Sequence, residues 1–135
     1  MNETTAKEIM TTDLVKVTED MTIEEVLKVL INYRITGLPV VDKKGNMTGV
    51  VSEYDILKQI SKSKKNNEKI YQQKFEYTKK VDSIEEDTPL PVVVDRFIER
   101  KFRRLPVTDK KGRLVGMITR RDLMRVYYYR ARLSG

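Results

Sequence analysis

The stretch LPVVDKKGNMTGVVSEYD, residues 38–55, returns as LPVTDKKGRLVGMITRRD at residues 105–122. An offset of 67 aligns Leu38 with Leu105, Pro39 with Pro106, Asp42 with Asp109 and Gly45 with Gly112. It also aligns Gly49 with Gly116 and Asp55 with Asp122, without a gap. Carried towards the N-terminus, the same offset sets Ile23, Val26, Leu27, Leu30 and Ile31 against Leu90, Val93, Val94, Phe97 and Ile98. That i, i+3, i+4, i+7, i+8 spacing is the apolar stripe of an amphipathic helix. Two patterns of different period obeying one offset mark two equivalent units.

Each unit reads as β-α-β-β-α. A short strand over residues 14–17 is followed by a helix that Thr22 and Glu25 start with a capping box. In the second unit Thr88 serves as N-cap and Pro89 as a first-turn proline. A strand over residues 38–41 leads into a turn, Asp42-Lys43-Lys44-Gly45, where the glycine can take a positive φ. A strand over residues 47–51 follows, then a helix from Ser52 to about Ile60. The second unit repeats this from residue 105 to about Tyr129. Each half would hold roughly 55–60 residues, marginal for independent stability, so two halves packed together are expected.

The expected boundaries are a first unit at 1–60, a basic linker at 61–80, a second unit at 81–129 and a tail at 130–135. The polar stretch around the linker, residues 58–80, carries Ile70, Tyr71, Phe75 and Tyr77. It reads as a solvated helical linker with a few residues touching the body, or as a nucleic-acid-binding segment.

Composition narrows the chemistry. The chain of 135 residues has no cysteine and no histidine, 39% apolar and 35% charged residues. Disulfides, thiolate metal sites, cysteine nucleophiles and imidazole acid–base catalysis are therefore excluded. No P-loop of the form G-x-x-x-x-G-K-[ST] is present, and the acidic residues are dispersed. No catalytic residue, resident cofactor or metal ligand is expected, and the chain does not read as an enzyme. No apolar run approaches the roughly 20 residues of a membrane span. MNETTAKEIM lacks the apolar core of a signal peptide, so a cytoplasmic protein is expected. The net charge of +7 is uneven: −4 over residues 1–57, +6 over 58–81 and +5 over 82–135. A basic balance suits anionic partners such as nucleotides, nucleic acid or an acidic protein face.

The ordered phrases LPVVDKKG with GVVSEYD, and LPVTDKKG with GMITRRD, resemble the tandem CBS-domain family. KEIMTTDLVKV is similar to the segment preceding the first strand in that family. The start of the second unit, FEYTKKVDSI, lacks the usual aspartate-isoleucine-methionine. The resemblance implies an α+β fold in which two units pack through their sheets about a pseudo-twofold axis, with two clefts between them. It further implies an adenosine-containing ligand in those clefts, commonly AMP, ADP, ATP or S-adenosylmethionine, a sensor role, and a homodimer.

The phrases SEYD and TRRD have a local chemistry of their own. Both are [ST]-x-x-[DE], a capping box that needs no ligand. The same geometry also sets a hydroxyl among free backbone N–H groups, which suit an anion. It sets a carboxylate, an acceptor only, where two ribose hydroxyls could donate to it. Gly49 and Gly116 would let a ligand approach the backbone. By the resemblance, Asp55 and Asp122 hold ribose, and Ser52 and Thr119 contact ribose or phosphate. Met10, Asp13, Val15 and Ile35 would then line the site of Asp122. Tyr77, Lys80, Asp82 and Phe102 would line that of Asp55. Arg104, where the first repeat has Gly37, and Arg121, where it has Tyr54, make the Asp122 site the expected phosphate-preferring one.

The leading expectation is thus a stand-alone regulatory module that binds an adenosine ligand and modulates a separate, unidentified partner protein. A nucleic-acid-binding protein using the linker, the basic second half and the tail MRVYYYRARLSG is the alternative. A purely structural dimerisation module is a third.

Overall fold

The computed structural model describes residues 3–63, 67–79 and 81–134. The chain divides into two units by contact, one formed by Val15–Val81 and the other by Met1–Leu14 together with Asp82–Gly135. They are called here the first and second unit.

In the first unit, β1 (Val17–Thr18), α2 (Ile23–Tyr33), β2 (Gly37–Val41), β3 (Met47–Ser52) and α3 (Glu53–Lys62) follow one another. The sheet order is β1-β2-β3, with β1 parallel and β3 antiparallel to β2. The second unit opens with α1 (Ala6–Ile9) and continues with β4 (Ile84–Glu85), α4 (Leu90–Arg100), β5 (Arg104–Thr108), β6 (Leu114–Thr119) and α5 (Arg120–Ser134). Its sheet has the equivalent order β4-β5-β6.

The repeat extends to backbone detail. Arg34 and Lys101, aligned by the offset, both end their helices in the left-handed region, at φ 53° and 54°. Register shifts fall between Val40 and Val41, and between Val107 and Thr108. Gly45 and Gly112 take φ 86° and 83° in their turns, as the turn requires. The cores are built from the helical stripes and the sheet faces they cover: Ile23, Val26, Val40, Val51 and Ile56 in one, Leu90, Val93, Val107, Ile118 and Leu123 in the other. Non-directional burial of this kind supplies most of the folding drive.

The turns are closed by aspartates. Asp42 Oδ1 accepts from the backbone N–H of Lys44 and Asn46, both at 2.9 Å. Asp109 Oδ1 accepts from Lys111 at 2.9 Å and Arg113 at 3.0 Å, and its Oδ2 from Arg113 Nε at 2.9 Å. The Arg113 backbone bond, opposed by burial and aided by the Arg113 side chain, holds the Asp109 carboxyl below its ordinary value. A depressed folded pKa gives stability that is full above the unfolded pKa and lost as pH falls through the folded one. Asp109→Asn should therefore lose stability relative to wild type above about pH 5, and the difference should shrink below about pH 4. Urea midpoints across that range measure it; a pH-independent difference would remove the carboxylate from the account.

Three expectations need correction. Thr88 is not the N-cap of α4: Pro89 occupies that place and no side chain caps the helix. The cap comes from elsewhere, since Leu90 N–H donates to Thr4 O at 2.9 Å, and the same segment is tied down by Ala6 N–H donating to Thr88 O at 2.8 Å. The tail at 130–135 is, through Ser134, the end of α5.

The linker is the third. It contains a 3₁₀ turn, Glu68–Gln72, then extended chain carrying isolated bridges to Thr22 and Val50. Ile70 and Phe75, 5% and 4% exposed, belong to the core of the first unit. Gln59 ties the segment down, accepting from Glu76 N–H at 2.7 Å and donating to Lys74 O at 3.0 Å. A buried amide with both ends paired leaves no polar group unsatisfied.

Candidate functional site

Two hydroxyl–carboxylate boxes stand where a strand runs into a helix. Ser52 ends β3 and caps α3; Asp55 Oδ2 accepts from Ser52 N–H at 2.9 Å and from Ser52 Oγ–H at 3.0 Å. Asp55 N–H donates back to Ser52 Oγ at 3.1 Å. In the second unit Asp122 Oδ2 accepts from Thr119 N–H at 2.8 Å and Thr119 Oγ1–H at 3.0 Å, and Asp122 N–H returns the bond at 3.2 Å. The capping role is thus present in both, and each box leaves Oδ1 for other partners.

Those partners differ. Asp122, 5% exposed, has Oδ1 bonded to Thr11 Oγ1 at 3.4 Å and to an Arg125 guanidinium nitrogen at 3.2 Å. Asp55 is half-buried, and its Oδ1 takes no hydrogen bond among the described residues. Lys58, the repeat equivalent of Arg125, lies with its Nζ 5.9 Å from the centroid of the Tyr54 ring.

The glycines serve another purpose than the expected one. A Cβ on Gly116 would collide with Sδ and Cγ of Met10, and one on Gly49 with the Tyr77 ring and the Thr78 carbonyl. The close approach is made by the chain itself. Thr11 pairs with Met117 through two backbone bonds, 2.8 and 3.0 Å, and Thr78 with Val50 through two of 2.9 Å. Met10 and Tyr77, Thr11 and Thr78 all obey the offset of 67. One docking segment thus precedes β1 in sequence and completes the second unit; its counterpart follows α3 and completes the first.

The remaining candidates separate by unit. Met10 and exposed Asp13 belong to the second unit, with Asp122; Val15 and Ile35 pack on the core of the first. Arg104 opens β5 and stands opposite Thr119 in the strand register. Arg121 is exposed on the first turn of α5. Tyr77 lies in the first unit with Asp55, its hydroxyl donating to Glu19 at 3.2 Å. Asp82 and Phe102 lie in the second unit, Asp82 3.9 Å from Arg100 and Phe102 edge-on to Phe97 at 6.4 Å. Lys80 lies outside the described residues. Arg120 and Arg125 lie outside the expected set of site residues. Arg120 caps the C-terminus of α4, donating to Phe102 O at 2.6 Å and Lys101 O at 2.9 Å. Its only sequence signal is the change from Glu53 to a cation that can satisfy helix-end carbonyls.

Among the described residues no group of three or more acidic side chains could hold a metal ion, and no helix is long and apolar enough to cross a membrane.

The CBS domain model matches residues 6–62 and again 75–129. The chain belongs to the CBS domain family. It is 33% identical to the chloroplastic CBS domain-containing protein CBSX1 of Arabidopsis thaliana, over 84% of this chain and 58% of that protein. The structure of CBSX2 in complex with AMP is similar at a TM-score of 0.75 and 32% identity, covering 93% of this chain and 96% of that one. The CBS domain pair of MJ0100, solved with 5′-methylthioadenosine and S-adenosyl-L-methionine, is similar at a TM-score of 0.69 and 29% identity, covering 96% and 99%. The chain spans 58% of CBSX1 and 23–24% of the enzymes next to it in similarity, L-aspartate semialdehyde sulfurtransferase and homoserine O-acetyltransferase among them.

Proposed function

We propose that this CBS pair is a non-catalytic regulatory module that binds an adenosine-containing ligand, with AMP, ADP or ATP preferred and S-adenosylmethionine an alternative. One observation carries the reading: a hydroxyl–carboxylate box at the start of α3 is repeated at the start of α5, in a chain similar to CBS pairs solved with AMP and with S-adenosyl-L-methionine. An ionised carboxylate offers acceptors to vicinal hydroxyls, and a helix start offers N–H groups and positive potential to an anion. Arg104, across the strand pair from Thr119, adds charge to the second box. A ligand acts on a partner only through differential affinity for two states of the module, so the partner protein must sense a change that the ligand stabilises.

The reading includes a homodimer. Two repeat-equivalent apolar grooves, of about 460 and 510 Å³, run between α2 and α3 and between α4 and α5. Ile31 and Leu57 are exposed along the first, Ile98 and Met124 along the second. Contiguous exposed apolar surface marks an interaction face.

Calorimetric titration of AMP into wild type, Asp55→Ala and Asp122→Ala tests the reading, with native mass spectrometry of the same samples reporting subunit number. Asp122→Ala should weaken AMP binding about tenfold or more, the scale of a lost hydrogen bond to a charged group. Because the cap itself is worth about 1 kcal/mol, each variant is first checked by thermal unfolding. AMP affinity unchanged in both variants would sink the site assignment.

A further inference from the structure

We infer that Arg125 is a specificity-determining latch on Asp122, which makes the second unit select an anionic adenosine compound over a neutral one, whereas Asp55 accepts either. The inference rests on the adenosine-binding reading above and deepens it.

The two units differ at two aligned positions beside the carboxylates: Arg125 stands where the first unit has Lys58, and Arg121 where it has Tyr54. Thr11 and its equivalent Thr78 are the same residue, but among the described residues only Thr11 bonds to its aspartate. In the first unit the Tyr54 ring draws the Lys58 ammonium to 5.9 Å from its centroid, a cation–π arrangement. In the second unit residue 121 is an arginine, so no ring competes for the cation one turn on. Arg125 instead reaches Asp122 Oδ1 at 3.2 Å, and Thr11 joins it on the same oxygen at 3.4 Å. With Oδ2 held by Thr119 twice, the Asp122 carboxylate already accepts four bonds. Two oxygens offer about four lone-pair sites, so its capacity is full.

A vicinal diol can therefore bind Asp122 only by displacing donors already there. Thr11 gives a neutral bond that a ribose hydroxyl replaces evenly. Arg125 gives a charge-assisted one, which a neutral hydroxyl does not match. A ligand that also carries an anionic group gives the released guanidinium a new partner. The planar guanidinium offers five donors in a fork suited to phosphate, and its side chain is 58% exposed, free to swing. A neutral nucleoside leaves it in water. At Asp55 the diol finds Oδ1 open and displaces nothing.

The test is calorimetry with adenosine, AMP and 2′-deoxyadenosine on the full chain carrying Asp55→Asn, so that the second unit alone reports. Arg125→Gln and Arg125→Lys are compared on that background, with thermal unfolding as the check on folding. Expected is AMP binding tighter than adenosine, with Arg125→Gln narrowing the ratio roughly three- to tenfold. Part of that change is a gain in adenosine affinity that 2′-deoxyadenosine, lacking the diol, does not show. Arg125→Lys keeps most of the ratio. An AMP-to-adenosine ratio unchanged in Arg125→Gln, while both ligands still bind, overturns the latch and leaves the adenosine reading standing. No binding of any of the three compounds, with Asp55 restored or replaced, overturns both.

Discussion

Gly116→Val is expected to destabilise the protein by about 3 kcal/mol, the upper range of overpacking in a closed contact. The reason is local and has a distant origin. The β6 backbone at Gly116 is covered by the Met10 side chain, and a Cβ there would occupy the place of Met10 Sδ. To admit valine, the Met10 side chain must leave β6, and because its Cβ also lies 3.0 Å from the added atom, the segment at residues 4–11 is expected to lift with it. Lifting it breaks the two backbone bonds between Thr11 and Met117 and exposes Ala6, which is fully buried. It also removes Thr4 O from the N–H of Leu90 at the start of α4, a helix that has no side-chain cap of its own, and parts Ala6 N–H from Thr88 O. Gly112→Ala is the control: nothing lies within 4 Å of a Cβ there, but φ is +83°. Its cost is that of a left-handed alanine, about 1 kcal/mol. Guanidinium unfolding followed by circular dichroism measures both. Limited proteolysis should show faster cleavage before residue 15 in Gly116→Val than in wild type. Shortening the neighbour by Met10→Ala should recover part of the loss in Gly116→Ala, as coupled positions do in a double-mutant cycle. A wild-type midpoint and cleavage pattern for Gly116→Val would mean that the segment is not seated on β6.

Phe75→Ala should cost about 3–5 kcal/mol, the range for removing a buried aromatic side chain. A solvated linker would lose a few tenths at most. Phe75 lies among Ile23, Val26 and Ile70 in the core of the first unit, its ring 5.4 Å from that of Tyr77. Its backbone neighbours are fixed on both sides by Gln59, and Gln73 O accepts from Ile23 N–H at 2.9 Å at the start of α2. A cavity in a segment held this firmly cannot collapse, which places the cost high in the range. Tyr71→Ala, four residues earlier and 41% exposed, should change stability by about 0.5 kcal/mol or less. Urea unfolding of the two variants decides it; equal and small effects would return residues 68–79 to the role of a linker.

The Asp122 and Asp55 boxes show where sequence reasoning reached the site and where it stopped. Ser52 with Asp55, and Thr119 with Asp122, are three apart, and a capping box is written in that spacing alone. Whether the outward oxygen of each aspartate is free is a different matter. It depends on Thr11, 111 residues from Asp122, and on a choice by residues 58 and 125 between a ring and a carboxylate.

The sequence by itself determined the two β-α-β-β-α units, their offset of 67, the glycine turns and the amphipathic faces of α2 and α4. These are local properties: a period of two or 3.6, a residue that tolerates positive φ, a hydroxyl three positions before a carboxylate. Only the tertiary structure decided which segment completes which unit. Residues 4–11 and 70–78 are too short to show a period, and their few apolar side chains look alike whether solvated or buried. Their place is set by long-range events: a glycine backbone that admits Met10 or Tyr77, a strand edge with N–H groups to pair, and helix starts at Ile23 and Leu90 that need an acceptor. Burial and backbone satisfaction, which no window of sequence contains, made a linker and an N-terminal arm into parts of two cores.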